Sequence, residues 1–339
     1  MAVLSTGQLT LADYSKRTNA EGKIDPIAEL LSQQNDVLED VVFREANQAT
    51  SHLATIRTGL PPVYWRSYNQ GVPNSKSTTA QIVEPCAMME ARSPIDKKLL
   101  ALEDNSASFR LSEDSAFIEA MSQEFTNKLF NGNVGIDLKT FSGLATRYSS
   151  TSAGNGSNVI LAGGIGSDNA SIYLVVWGEQ TVFCTFPKGS QAGLQARDLG
   201  EQKMFDAAGY AYQAEETLFQ WDAGLVVKDW RYVVRIANID VSDWVGVTGT
   251  QASTAATNVI KLMTRAIARI PNMNMGRSGF YMNRSMQEGL MIQALDKSSN
   301  ALGITQALTQ FGQQINQLTF MGIPVRGVDA LGIAETLVA

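Results

Sequence analysis

The sequence predicts an α+β protein, a mixed body with segments that project from it, and three observations lead there. Apolar residues recur at helical spacing in two separate stretches, 112–131 and 253–270. Between them, residues 170–239 are dense in β-branched and aromatic residues and punctuated by glycine. Ahead of both, residues 44–98 are broken by Gly59, Pro61, Pro62, Gly71, Pro73, Pro85 and Pro94, and their strands alternate too loosely to close a core of their own. A chain of 339 residues can bury about three quarters of the surface it exposes when unfolded, so the core needs no metal or disulfide staple. Length alone suggests about two domains, but no internal repeat or disordered linker divides the chain.

Taken in order, residues 1–24 are polar with scattered apolar positions and read as an extended arm. A helix follows, capped by Asp25 with Pro26 at its first position. Ile27, Leu30, Leu31, Val37, Leu38, Val41 and Val42 give it an apolar stripe, interrupted near Asn35. SHLATIRTGL and PPVYWRSYNQGV are strand-like and make residues 44–98 a long β-hairpin leaving the body. A lone hairpin is marginal in water, so this one packs on something, and a neighbouring copy is the natural candidate. The clearest helix is 112–131: Ser112 caps it, Glu113 and Asp114 suit its positive end, and Gly132 ends it. Phe117, Ile118, Met121, Phe125 and Leu129 line its apolar face.

Residues 139–168 form a turn-rich connection. SIYLVVWG and TVFCTFPKG read as a hairpin turning at Gly178-Glu179-Gln180, and YAYQAEETLFQWDAG and LVVKDWRYVVRIANID as two more long strands. Thr254 caps the helix ATNVIKLMTRAIARI, which buries Val259, Ile260, Met263, Ile267 and Ile270 and stops before Pro271. GFYMN is a short strand, and Ser285 with Glu288 makes a capping box for SMQEGLMIQAL. Residues 299–318 read as a glutamine-rich loop, and LTFMGIPVRGVDAL as the closing strand.

Composition excludes several classes of function. Charged residues are 18% of the chain, low for a globular protein, which suggests that much of the surface meets other protein. A net charge of −6 and a pI near 5.0 suit no sequence-reading nucleic-acid binder, which needs a basic face. Cys86 and Cys184 lie far apart without metal-ligand spacing and read as small, partly buried side chains of a reducing compartment. No apolar run has signal-peptide or membrane-spanning length.

Chemistry finds no foothold. His52 is the only histidine, and a projecting hairpin is a poor platform for a preorganised catalytic site; it reads as a surface or interface residue. Gly164 and Gly166 begin a GxG, but Asn169 stands at the third glycine position and a strand follows where a dinucleotide site needs a helix. FPKGS lacks the order of a phosphate-binding loop. Lys261, Arg265 and Arg269 share one helix face; they could line an inner surface over packaged DNA, but three charges are few for phosphate binding and a solvated face is the plainer reading. No catalytic residue, cofactor or metal is expected.

The ordered segments TLADYSKR, IRTGLPPVYWRSYNQGVPNSKSTTAQIVE, RLSEDSAFIEAM, FSGLATRYSS, VVWGEQTVFCTFPKGSQAGLQARDLG, DWRYVVRIANID, GFYMNRSM and MGIPVRGVDAL span nearly the whole chain. In them the chain resembles the major capsid proteins of short-tailed phages of the epsilon-fifteen type and related siphophages. The resemblance implies the Hong Kong 97-type capsid fold. Residues 1–43 would be the N-terminal arm and its helix, 44–98 the extended loop, and 99–240 the peripheral domain with its spine helix at 112–131. Segment 150–239 is longer than a minimal version of that fold requires, so it is either an extension of the peripheral sheet or an insertion. Residues 241–322 would be the axial domain and 323–339 a return to the peripheral domain. The implied function is structural: hexamers and pentamers of the chain closing an icosahedral shell around a double-stranded DNA genome, held without sequence specificity and without a membrane. A separate scaffolding protein (the chain begins close to its arm), a portal protein and a decoration protein are the implied partners, and the virion, assembled in the host bacterial cytoplasm, is the implied location. The same fold also serves nanocompartment shells, which is the nearest alternative; a soluble enzyme with an unseen carboxylate pair and a tail-tube or adhesin protein are more distant ones.

Charge suggests where copies meet. Residues 1–50 carry eight acidic and four basic side chains, whereas 51–98 carry three acidic and six basic. The basic loop, with Arg57, Tyr64, Trp65, Arg66 and Lys76, is expected to lie over acidic surface of another copy, at Asp36, Glu39 and Asp40.

Overall fold

The computed structural model describes residue 9 and residues 32–102, 106–206, 208–242, 250–295, 302–308 and 314–339. The arm and most of the helix expected from Asp25 lie outside these residues. Within them, Val37–Asp40 forms one helical turn and Phe43–Glu45 is already a strand, β1, so the expected helix does not reach Val42. The residues group into two compact units, one of residues 1–33, 88–125 and 191–222, the other of 34–87, 126–190 and 223–339.

In the first unit, β8 (Gln195–Phe205) and β9 (Ala211–Val227) pair antiparallel from Gln195↔Gln220 to Phe205↔Ala211, and β9 also neighbours β4 (Ala87–Asp96). The long helix runs Ser106–Asn131, its residues through Phe125 belonging here. It stacks Phe117 on Phe219 at 5.9 Å and Phe125 on Trp221 at 4.5 Å. Ser112 is therefore not its cap but an interior residue. The apolar stripe continues upstream to Phe109, which packs with Ile95, Leu99, Leu100 and Leu9, and this burial draws the preceding residues into the helix. Arg110 bonds Glu215 at 2.8 Å and Asp198 at 3.0 Å, tying the helix to both strands.

In the second unit the central strand is β6 (Asn169–Trp177), every residue of which is buried. It lies between β10 (Val233–Asp240) and β11 (Arg277–Met282), antiparallel to both. The sheet continues past β11 through β14 (Ile323–Gly327) and β13 (Gln314–Phe320) to β12 (Leu302–Leu308), and past β10 to β5 (Val159–Leu161). A strand buried on both faces reads as a continuous apolar run, and period two explains the division. Ala170, Ile172, Leu174 and Val176 join Val259, Met263 and Ala266 of the helix Thr250–Arg269, while Tyr173 and Trp177 meet Phe130 and Tyr281.

Several expectations are corrected in this unit. β6 and β7 (Val182–Phe186) are not a hairpin: they meet at Trp177↔Val182 alone, because β10 and β11 occupy both edges of β6, and β7 pairs with β1 and with the end of β9. β9 does not stop at Gly224. The glycine keeps the strand going, since a Cβ there would sit 2.6 Å from the Pro85 carbonyl. Thr254 lies inside its helix, not at the cap; of the apolar face expected there, Val259, Met263 and Ile270 are buried and Ile260 and Ile267 pack at the margin. Asn283, not Ser285, caps the next helix, Arg284–Leu295, accepting from the Ser285 N–H at 3.0 Å. The expected loop 299–318 contains β12 and most of β13, and the expected closing strand is two, turning at Met321 and Gly322 with φ of 50° and 83°.

Candidate assembly interface

β2 (Ser51–Gly59) and β3 (Thr78–Pro85) pair antiparallel from Ser51↔Pro85 to Gly59↔Thr78 and form a sheet of their own. Between them residues 60–77 carry no strand, so PPVYWRSYNQGV is irregular rather than extended pairing. Pro61, Pro62 and Pro73 cannot donate ladder hydrogen bonds, and the turn at its far end places Asn69 at φ 59°.

This segment departs from ordinary surface chemistry. Leu60, Val63, Trp65 and Tyr68 are each at least 79% exposed, and Tyr64, Val72, Ile82, Val83 and Met88 are exposed beside them in sequence. From Ala46 to Val83 there is no aspartate or glutamate, against the cations Arg57, Arg66 and Lys76, all exposed. A segment with this many exposed large apolar side chains and one sign of charge is what an interaction surface shows and what a solvated loop avoids. Of the residues expected from the sequence, Arg57 lies on β2, and Tyr64, Trp65, Arg66 and Lys76 lie in the irregular segment between β2 and β3. Leu60, Val63, Tyr68 and Val72 belong with them; their signal was the same loose alternation between prolines.

The acidic set is divided. Asp40 is 2% exposed and accepts from the Tyr281 hydroxyl at 2.8 Å and from the Arg326 fork at 3.1 and 3.2 Å, so it is an internal residue and not acidic surface. Burial first, then the charge and hydrogen bond of Asp40, push the Tyr281 hydroxyl well above the usual phenol range. Glu39 pairs with Arg326 at 3.0 Å but stays largely exposed. Asp36 is half-buried; burial raises its carboxyl above the ordinary value, partly countered by its bond from Gln34. Sequence reasoning missed this engagement because Arg326 lies far along the chain. Lys261 and Arg265 are exposed on the helix Thr250–Arg269, whereas Arg269 turns back to donate to the Val159 carbonyl at 3.2 Å.

The root of the hairpin is anchored by a buried ion pair and a small apolar cluster. Glu84, buried, accepts from both terminal nitrogens of Arg147 at 2.6 Å each, and Arg147 also donates to the Leu225 and Ser142 carbonyls. Ala54 packs with Phe183 and Val226. His52 stands edge-on to Phe183 at 5.5 Å between ring centres.

Comparison with known proteins gives this surface its context. The sequence matches the family described as major capsid protein GP7 over residues 19–339. The fold is similar to a chain in the cryo-electron microscopy structure of bacteriophage epsilon15, at 27% identity over 100% of both chains with a TM-score of 0.69. It is also similar to the capsid of bacteriophage JBD30, at 8% identity over 95% of this chain and 99% of that one, with a TM-score of 0.49. Curated proteins return no significant match. The family match covers nearly every element described above: the chain belongs to the major capsid protein GP7 family and is a structural protein of a bacteriophage capsid, built on the Hong Kong 97-type fold.

Proposed function

We propose that the chain closes an icosahedral shell as hexamers and pentamers, with the hairpin at residues 51–85 of each copy lying over its neighbour. The observation that carries this reading is the exposed apolar run from Leu60 to Val83 on a segment free of carboxylates. Trp65 and Tyr64, with Leu60, Val63 and Tyr68, supply the buried area of the contact. Arg57, Arg66 and Lys76 set its register against acidic surface of the next copy, at Glu39 and Asp36, while Asp40 holds the Arg326 that presents Glu39. Lys261 and Arg265 belong to the axial region and suit an inner surface facing packaged double-stranded DNA, touched without sequence specificity. The subunit has no enzymatic step to perform; a separate scaffolding protein, a portal and a decoration protein complete the particle, which is built in the host cytoplasm. Residues 44–98 serve as the extended loop, 99–240 as the peripheral domain and 241–322 as the axial domain, with 1–43 as the arm and 323–339 returning to the peripheral domain.

Magnitudes assign the roles. An exposed ion pair contributes roughly 0.2–1 kcal/mol, while an interface of about 1,600 Å² gains tens of kcal/mol of gross apolar burial at about 25 cal/mol per Å², most of it offset by ordering. Charge therefore steers encounter and apolar burial holds the shell. Negative-stain microscopy of the native chain and of the double variant Arg57→Glu, Arg66→Glu tests this. The native chain, with its neighbouring gene products, should give closed shells, and the folded variant should assemble slowly or not at all. Small closed oligomers from the native chain, or wild-type assembly rates for the variant at low salt, would contradict the reading.

A further inference from the structure

The hairpin root holds the chain's only histidine in an unusual position. In the β2–β3 register His52 faces Glu84 directly, so the two side chains share a face, and Ala54, two residues on, shares it too. That face is the one seated on the rest of its own unit: Ala54 packs on Phe183 and Val226, Glu84 is clamped by Arg147, and the His52 ring meets the edge of Phe183. His52 Nδ1 is buried and has no hydrogen-bond partner. Both carboxylate oxygens of Glu84 are already taken, one by each terminal nitrogen of Arg147.

We propose that His52 is a proton-sensitive hinge pin: uncharged, it seats the hairpin root; charged, it unseats it. The groups facing it decide the sign. Glu84 on β3 would attract an imidazolium, but only by being shared away from Arg147, whose charge is then left with less compensation. Lys228, which follows β9 and donates to Gln180 at 2.9 Å, repels it. Phe183 on β7 offers no solvation. Burial, first, and the charge of Lys228, second, hold the imidazole below its ordinary value of 6.5, against the pull of Glu84. The folded root therefore favours the neutral ring. Its contribution is intact above that ordinary value and is lost as pH falls through the lowered one. Among the described residues β2 and β3 pair only with each other, so the seating of the root rests on side-chain contacts, where a misplaced charge acts directly.

The inference gives a regulation to the segment that the proposed function uses for assembly, but its test does not depend on assembly. Amide hydrogen exchange of the unassembled full chain is compared between about pH 8 and about pH 5, corrected for intrinsic rates, in the native chain and in His52→Gln. Carboxylates with an ordinary value of about 4.3 remain mostly ionised in this window, and the variant controls for any that titrate. Exchange in peptides covering 51–59 and 78–85 should rise several-fold on acidification in the native chain, and this rise should vanish in the variant. An equal rise in both, or none in the native chain, overturns the proposal. Deuterium exchange at the imidazole ring carbon gives the midpoint of His52 without mutation, and a midpoint at or above 6.5 also overturns it.

Discussion

Glu84 and Arg147 are 7% and 19% exposed at their side chains and meet in a two-toothed ion pair at 2.6 Å, the third Arg147 nitrogen going to the Ser142 carbonyl. Such a pair contributes little net stability, since both charges lose water, but removing one partner strands the other. Glu84→Ala should therefore destabilise the fold by about 3–5 kcal/mol. The double change Glu84→Met, Arg147→Met should recover most of that loss, read as a coupling in a double-mutant cycle of thermal melts. Additive losses would mean that the two residues act separately. Asn238 works differently. It sits at φ 58° in the bulge between Ile236 and Ile239, and its amide both donates to the Val338 carbonyl and accepts from the Val338 N–H, at 2.8 and 3.0 Å. An αL backbone suits asparagine better than most residues, so the irregularity in β10 is what aims this clasp at the last residues of the chain.

At the scale of elements, the hairpin should exchange its amides quickly in the free subunit and slowly in the shell. It has its own two-stranded sheet and an irregular tip without strand hydrogen bonds. Comparable protection in both states would argue against its role as a contact between copies. The elements that were legible in the sequence are those with one dominant period. The apolar faces of the helices Ser106–Asn131 and Thr250–Arg269 fall in this class, while β6 stands out as an unbroken apolar run and the loop by lacking any one period. The rest was hidden for identifiable reasons. β8 reads QARDLGEQKMF, and with both faces partly exposed its charges obscure the alternation. β6 and β7 looked like a hairpin because the turn at Gly178 is genuine, its N–H bonding the Val182 carbonyl at 2.9 Å; which strand takes an edge is settled by residues 233–240 and 277–282, which no local pattern reveals. The basic half of the proposed assembly surface is visible in the sequence because Arg57, Arg66 and Lys76 sit in a segment without carboxylates. Asp40 was misread because its partners, Tyr281 and Arg326, are distant in sequence.

For the whole molecule, the proposed division of labour between charge and apolar burial predicts opposite salt responses at two stages. The onset of assembly should slow as salt rises, because attraction between exposed charges is screened. Finished particles should survive about 1 M salt, where the Debye length is roughly 3 Å. Light scattering at a series of salt concentrations and microscopy of treated particles read the two stages separately. Particles that dissolve at high salt would show that ion pairs hold the shell. The exposed run from Leu60 to Val83 has one more consequence. A surface that finds its mate only on another copy is, until then, as adhesive toward wrong partners as toward right ones. If the hairpin makes the contact proposed, the free subunit is a perishable intermediate, and the yield of particles becomes a contest between closure and clumping, governed by how fast new chains are supplied relative to how fast they are captured.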